Sequence, residues 1–391
     1  MQHADVIVVG LGAIGSATSY QLAKRRAKVI GIDRFSPPHI FGSTHGDTRI
    51  TRQAIGEGKC YVPLVLRSHE LWREIEVETG ASLFTACGGL ILVNKSVRAG
   101  LHGVQDFFAA TVSAAEEYCI EHELMSTDEA RNRFPQFRMN DEYRCYYEPG
   151  AGFVRPEAAV ATQLQLARRH GARIQTEERV NRVESTSYGV MVHTDKAVYG
   201  AEQMIIAAGP WIGQLIESKN VEQLCSVYRQ GLHWFPVAGS ISLFTPDRMP
   251  VFVWKFGSGD DDMFYGFPAI DGPNGGLKVA TEQHHTIADP DDLGQNGPSV
   301  ESEEMYARCV DGRLPLFPSV IRSATCLYTV TPDQRFIIDR HPECSNVLLA
   351  SSCSGHGFKY SPAIGESLAQ WALQGKPAID LSAFTLNRFA F

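Results

Sequence analysis

Residues 5–33 read DVIVVGLGAIGSATSYQLAKRRAKVIGID. The β-branched run at 5–10, bounded by glycine, predicts a buried parallel strand. Residues 14–25 have helical spacing with small residues on one side, and 28–33 predict a second strand ending in an acid. Strand, helix and strand make a βαβ unit. Its turn, Gly10-Leu11-Gly12-Ala13-Ile14-Gly15, fits G-x-G-x-x-G. Gly10 makes the tight turn, Gly12 lets the backbone approach a pyrophosphate, and Gly15 lets helix pack on strand. The helix N-terminus then faces the anion. Asp33 closes the second strand, where an acid accepts ribose hydroxyls. The stretch therefore predicts dinucleotide binding, but by itself does not separate NAD from FAD.

Working outward, a helix is expected over 61–78, with Leu64, Leu71, Trp72 and Ile75 on one face. Strands are expected over 84–94, 173–183, 188–199, 203–209 and 346–353, and helices near 100–120, 127–133, 155–170 and 361–374. Residues 233–285 read as mainly β, and 286–299, rich in Asp, Pro and Gly, as a loop. Three features favour FAD. The glycines lie at the extreme N-terminus. A second apolar strand runs into Ala207-Ala208-Gly209-Pro210-Trp211. The segment Thr331-Pro332-Asp333-Gln334-Arg335-Phe336-Ile337-Ile338-Asp339 resembles the last flavin-contacting segment of FAD oxidoreductases, which makes Asp339 a candidate cofactor residue.

Composition narrows the class. The chain has 391 residues, 44% hydrophobic and 20% charged, which suits a globular protein with a deep core. A net charge of −8 argues against a nucleic-acid partner. No apolar run reaches the roughly 20 residues that span a bilayer. The N-terminus lacks a basic region and a cleavage site, so no membrane or secretory role is expected. Nine cysteines without C-x-x-C pairs predict reduced thiols in a cytoplasm and no metal.

More specific blocks follow. They are Pro37-Pro38-His39, Gly42-Ser43-Thr44-His45-Gly46-Asp47-Thr48-Arg49-Ile50-Thr51-Arg52, Gly56-Glu57-Gly58 and Tyr61-Val62-Pro63-Leu64. Tyr228-Arg229-Gln230, Tyr265-Gly266-Phe267-Pro268, Gly276-Leu277-Lys278, Cys326-Leu327-Tyr328-Thr329 and Ser354-Gly355-His356-Gly357-Phe358-Lys359 complete the set. Together they strongly resemble the monomeric sarcosine oxidase and N-methyltryptophan oxidase family over essentially the whole chain.

The resemblance implies a flavoprotein that oxidises secondary amino acids with FAD and oxygen, giving an imine that water cleaves, and hydrogen peroxide. It implies that Cys326 carries the flavin as an 8α thioether. Arg52 and Lys359 match a clamp for the substrate carboxylate, which an arginine fork and a lysine point charge suit chemically. Lys278 matches the oxygen-activating lysine, whose positive charge would stabilise superoxide. His45, Arg49, Tyr265, Tyr328 and His356 match residues lining the flavin or substrate cavity.

Two departures bear on substrate. Thr44 replaces a histidine common in the family. Glu282 stands where the family usually has an active-site histidine, and the loop 269–274 looks two residues longer. A carboxylate at 282 could pair with Lys278 or attract a cationic group on the substrate. A shifted loop would instead offer His284 or His285.

The expected fold is α/β with two domains, a Rossmann-like FAD-binding domain carrying an inserted β-rich substrate domain. The expected division is 1–80, 150–215 and 320–391 for FAD, and 81–149 and 216–319 for substrate. The expected activity is oxidation of sarcosine or another N-methyl amino acid. A dehydrogenase with a non-oxygen acceptor, or an oxidase of proline or pipecolate, are the alternatives. The default assembly is a monomer.

Overall fold

The computed structural model describes residues 2–389 apart from 98–99, 141, 187, 217, 260 and 293–298. Part of the loop expected over 286–299 therefore lies outside the described residues.

The first sheet is built on the stretch that opened the sequence. Strand Gln2–Val9 pairs in parallel with Val29–Ile32 on one side and with Val198–Ile206 on the other. Arg173–Gln175 extends it beyond Val29–Ile32, and Val347–Ser351 runs parallel to the end of Val198–Ile206. A hairpin, Val180–Thr186 with Gly189–Thr194, adds antiparallel strands at the other end of Val198–Ile206. The central strands are continuously apolar because they are covered on both faces.

Helix Ala13–Lys24 packs against Pro156–Arg169 and Ser361–Gln374. Its small residues are what allow this. A Cβ at Gly365 would lie 2.6 Å from the Ala17 Cβ, so the two helices meet where neither carries bulk. Helix Val62–Thr79 follows the sequence reading, with Leu64, Leu71, Trp72 and Ile75 all buried. Gly80, at φ +72°, ends it.

The second sheet runs Arg322–Val330, Ser226–Phe235, Leu277–Ala280, Met263–Gly266, Val251–Lys255, Gly89–Asn94, Tyr143–Glu148 and Glu123–Met125. Trp254, Phe252, Phe264, Phe137 and Phe235 form its aromatic core. Arg322–Val330, the strand that holds Cys326 and Tyr328, pairs with Ser226–Phe235 in this sheet rather than in the nucleotide sheet.

Several element boundaries differ from expectation: 173–183 divides into Arg173–Gln175 and the start of Val180–Thr186, and 188–199 into Gly189–Thr194 and the start of Val198–Ile206. The run 84–94 is two strands, Phe84–Thr85 and Gly89–Asn94. Gly88, at φ +83°, turns the chain between them, and each joins a different sheet. The helix expected from 100 begins at Phe107, where the Asp106 carboxylate accepts a hydrogen bond from the Ala109 N–H at 3.0 Å. The segment before it, with His102 at φ +50°, is irregular and reaches into the cavity described next. Among the described residues no helix is long and apolar enough to cross a membrane.

Candidate active site

One cavity of about 320 Å³ runs from Gly10, Gly12 and Asp33 to Arg52, Glu282 and Lys359. Its two ends are built differently.

At the nucleotide end, Gly10 has φ +86° and lies against Ala207 and Ala208, where a Cβ would meet Ala207 O at 2.5 Å. A Cβ at Gly15 would sit 1.7 Å from Gly10 O, so the helix packs directly on the turn. Above Gly12 a Cβ would meet only Thr44 Oγ1, at 3.7 Å. That open space, beside a helix N-terminus with no side-chain cap, is what a pyrophosphate needs. Asp33 Oδ2 accepts from Leu11 N at 2.7 Å and Oδ1 from Phe35 N at 2.8 Å. These bonds fix the carboxylate at the cavity wall and leave further lone pairs for hydroxyls. Thr329 and Ser352 also line the cavity, with hydroxyls that have no hydrogen-bond partner among the described residues. This end suits the diphosphate and ribose of a dinucleotide such as FAD.

The opposite end concentrates charge. Arg52 Nη2 donates to Glu57 Oε2 at 2.5 Å, and Nη1 to Ala54 O. Lys359 Nζ lies 4.0 Å from Glu57 Oε1 and donates to His356 O at 2.8 Å. Burial lowers Lys359 to about 8, against the raising effect of Glu57. Burial works against ionisation of Glu57, but Arg52 and Lys359 overcome it and hold the carboxyl well below the usual range. Two cations face one anion, leaving one positive charge in excess.

Glu282 also lines the cavity, and its partner is His102, Nε2 to Oε2 at 3.0 Å. Lys278 is engaged elsewhere. His284 packs beside Tyr228, and His285 lies at the exposed surface, 2.9 Å from Asp261. Tyr265 and Tyr328, both in the wall, have hydroxyls 3.2 Å apart. His356 completes this region, its ring 4.8 Å from that of His102.

Three expected residues, Lys278, His45 and Cys326, stand behind the wall. Lys278, fully buried on strand Leu277–Ala280, donates to Gly46 O at 2.6 Å and Thr48 O at 2.8 Å. Burial first, and Arg49 second, hold its pKa well below the ordinary lysine value. His45 is brought down to about 4 by burial and by Arg49, so it is neutral at pH 7. Cys326 is buried in an apolar cluster with Tyr328 and Cys353, the last of which lines the cavity. Burial raises its thiol, while Arg49 and Lys278 oppose the rise. Arg49 itself reaches the wall and donates to Ser43 O and Thr48 O.

Asp339 is a correction, because it does not reach the cavity. Its Oδ2 accepts from Leu386 N at 2.8 Å and its Oδ1 from Arg340 N at 2.7 Å, so its carboxylate ties down the C-terminal segment. Sequence reasoning missed Glu57 and His102 as site residues. The acid between Gly56 and Gly58 was a usable signal for the first. Nothing local marks the second.

The family described as FAD dependent oxidoreductase matches residues 5–371. Monomeric sarcosine oxidase of Streptomyces avermitilis is 38% identical over 99% of this chain and 98% of that protein. N-methyl-L-tryptophan oxidase of Yersinia pestis is 35% identical over 98% of this chain and 99% of its own. The chain belongs to the FAD-dependent oxidoreductases, within the sarcosine oxidase and N-methyltryptophan oxidase family.

The solved structure of NikD, an amino acid oxidase essential for nikkomycin biosynthesis, superposes with a TM-score of 0.82. It is 22% identical, over 98% of each chain, and so speaks for the fold alone. As an FAD-dependent oxidoreductase, this chain has its glycine turn and its charged cluster at opposite ends of one cavity.

Proposed function

We propose that this enzyme oxidises the C–N bond of a secondary amino acid, sarcosine or another N-methyl amino acid, to an imine. Oxygen takes up the two electrons and two protons as hydrogen peroxide, and water hydrolyses the imine to complete N-demethylation. The names of the curated relatives support the reaction type. The observation that carries it for this chain is the single excess positive charge of Arg52 and Lys359 about Glu57, in a cavity continuous with the nucleotide turn. One substrate carboxylate balances it.

FAD supplies the two-electron acceptor when bound. Gly10 and Gly12 would hold its pyrophosphate, with Gly15 packing the helix onto their turn, and Asp33 its ribose. Arg52 and Lys359 bind the substrate carboxylate by charge-assisted hydrogen bonds, strong where water is excluded. Tyr265, Tyr328 and His356 wall the reacting end. Arg49 and His45 shape the surroundings of the flavin site, His45 as a neutral imidazole. Lys278, held by two carbonyls and disfavoured as a cation at rest by burial and Arg49, takes up positive charge when oxygen is reduced. The glycine turn of the nucleotide sheet serves the cofactor, the second sheet carries Cys326, Lys278, Tyr265 and Tyr328, and the segments after Arg49–Thr51 and Val347–Ser351 bring Arg52 and Lys359 to the substrate, in a monomer of the cytoplasm whose nine cysteines are all free thiols before cofactor attachment.

The test is a peroxide-coupled screen of sarcosine, N-methyl amino acids, proline and pipecolate. Peroxide from the N-methyl compounds is the expected result, and none from any compound overturns the reading.

Cys326 is the proposed covalent tether, as the family resemblance implies; burial raises its thiol, and Arg49 and Lys278 act against that rise. Acid-precipitated enzyme should stay yellow, and Cys326→Ser should give a colourless pellet. A yellow pellet from the variant assigns the link elsewhere.

A further inference from the structure

Resting on the oxidase reading, we propose that His102, Glu282 and His356 select a substrate side chain bearing a neutral group that both donates and accepts a hydrogen bond. A hydroxyl or a primary carboxamide has this chemistry.

All three residues line the same cavity as Arg52 and Lys359. His356 is buried, and the side chains of His102 and Glu282 are largely so, at 5% and 13% exposed. The Nδ1 atoms of His102 and His356 are both buried without a hydrogen-bond partner among the described residues. Such an atom costs about 1–3 kcal/mol when nothing meets it. Two of them on neighbouring rings, centroids 4.8 Å apart, mark a place for a polar guest.

The protons on these rings follow from their other partners. His102 Nε2 faces a carboxylate oxygen, which only accepts, so it carries a proton. His356 Nε2 faces Gln334 O at 3.4 Å, and a carbonyl likewise only accepts. The rings then differ in charge. Burial works against protonation of His102, but Glu282 wins and raises its pKa, so Nδ1 also carries a proton and donates. His356 is held well below the ordinary histidine value, first by burial and then by His102, so its Nδ1 is a bare acceptor. One donor and one acceptor thus stand on rings whose centroids are 4.8 Å apart.

This arrangement disfavours the other uses of Glu282. Its charge is already balanced by His102, so a cationic side chain gains little from it. The site also lies beside the carboxylate clamp, since Lys359 Nζ donates to His356 O at 2.8 Å. The polar group therefore belongs on a short side chain.

The experiment measures kcat/KM of the holoenzyme, by peroxide release, for the N-methyl derivatives of L-serine, L-asparagine, L-alanine and L-lysine. The serine or asparagine compound should exceed the alanine compound by roughly tenfold or more, the yield of one good buried hydrogen bond. Serine against asparagine identifies which group fits. In His102→Leu the ratio should fall to near one. Equal values for serine, asparagine and alanine in the wild type would mean that water satisfies the two nitrogens, and would overturn the inference while leaving the oxidase reading intact. Preference for the lysine compound, or an unchanged ratio in His102→Leu, would also overturn it. Peroxide from none of the four and none from sarcosine, without anaerobic bleaching of the flavin, would defeat both. If His102→Leu does not fold, the wild-type ratio decides alone.

Discussion

Lys278→Met should slow reoxidation of the reduced enzyme by oxygen by roughly 10²–10³-fold, the usual loss when one preorganised electrostatic group is removed. Anaerobic reduction by substrate should change far less. Lys278 is fully buried, with its Nζ held by Gly46 O and Thr48 O and lying 4.6 Å from the Phe267 ring centroid. Glu157 fixes the same loop from the other side, since its Oε1 accepts from Gly46 N at 2.5 Å. The ammonium therefore cannot swing away. Burial and Arg49 disfavour its charge at rest. Negative charge appearing nearby as electrons pass to oxygen reverses that preference. The group is therefore worth most when oxygen is being reduced. Methionine matches the stem but leaves two carbonyls unpaired, so a fall in Tm should accompany the kinetic change. Rapid-mixing measurements of the two half-reactions decide the matter. Equal slowing of both would remove Lys278 from oxygen chemistry.

Arg52→Met should lower kcat/KM for a carboxylate-bearing substrate by roughly 10²–10³-fold, the cost of breaking a buried charge-assisted contact. The loss exceeds one hydrogen bond for a reason particular to this site. Glu57 bonds to Arg52 and also lies 4.0 Å from Lys359. Without Arg52, Glu57 claims the remaining lysine, and the excess positive charge disappears. Binding of a carboxylate without an amine isolates this effect. Its affinity should also have a pH dependence with a definite sign. Lys359, lowered to about 8, is charged below that pH and loses its proton above it. Affinity should therefore fall as pH rises through about 8, whereas the substrate amine becomes more reactive in the same range. An affinity independent of both Arg52 and pH would place the carboxylate elsewhere.

The cofactor end of the cavity was legible in the sequence because everything that builds it is local. Gly10, Gly12, Gly15 and Asp33 are contiguous in one βαβ unit, and strand and helix periodicity fix where each must stand. Long elements such as Val62–Thr79 and Ser361–Gln374 were legible for the same reason. The break at Gly88 was not, since two adjoining apolar runs look like one strand until each finds its own sheet. Asp339 went astray differently. It stands one residue before the end of strand Ile337–Arg340, and its side chain is spent on Leu386 N, a contact no motif announces.

By itself, then, the sequence determined a nucleotide-binding α/β chain and, through blocks spread along its length, its family. Only the tertiary structure decided the electrostatics of the far end. It put Glu57 between Arg52 and Lys359, gave Glu282 to His102 rather than to Lys278, and set Lys278 behind the wall. Those outcomes depend on charges far apart in the chain meeting in a dry space, where proximity and burial fix which pairs form. Periodicity and motif spacing carry no record of either.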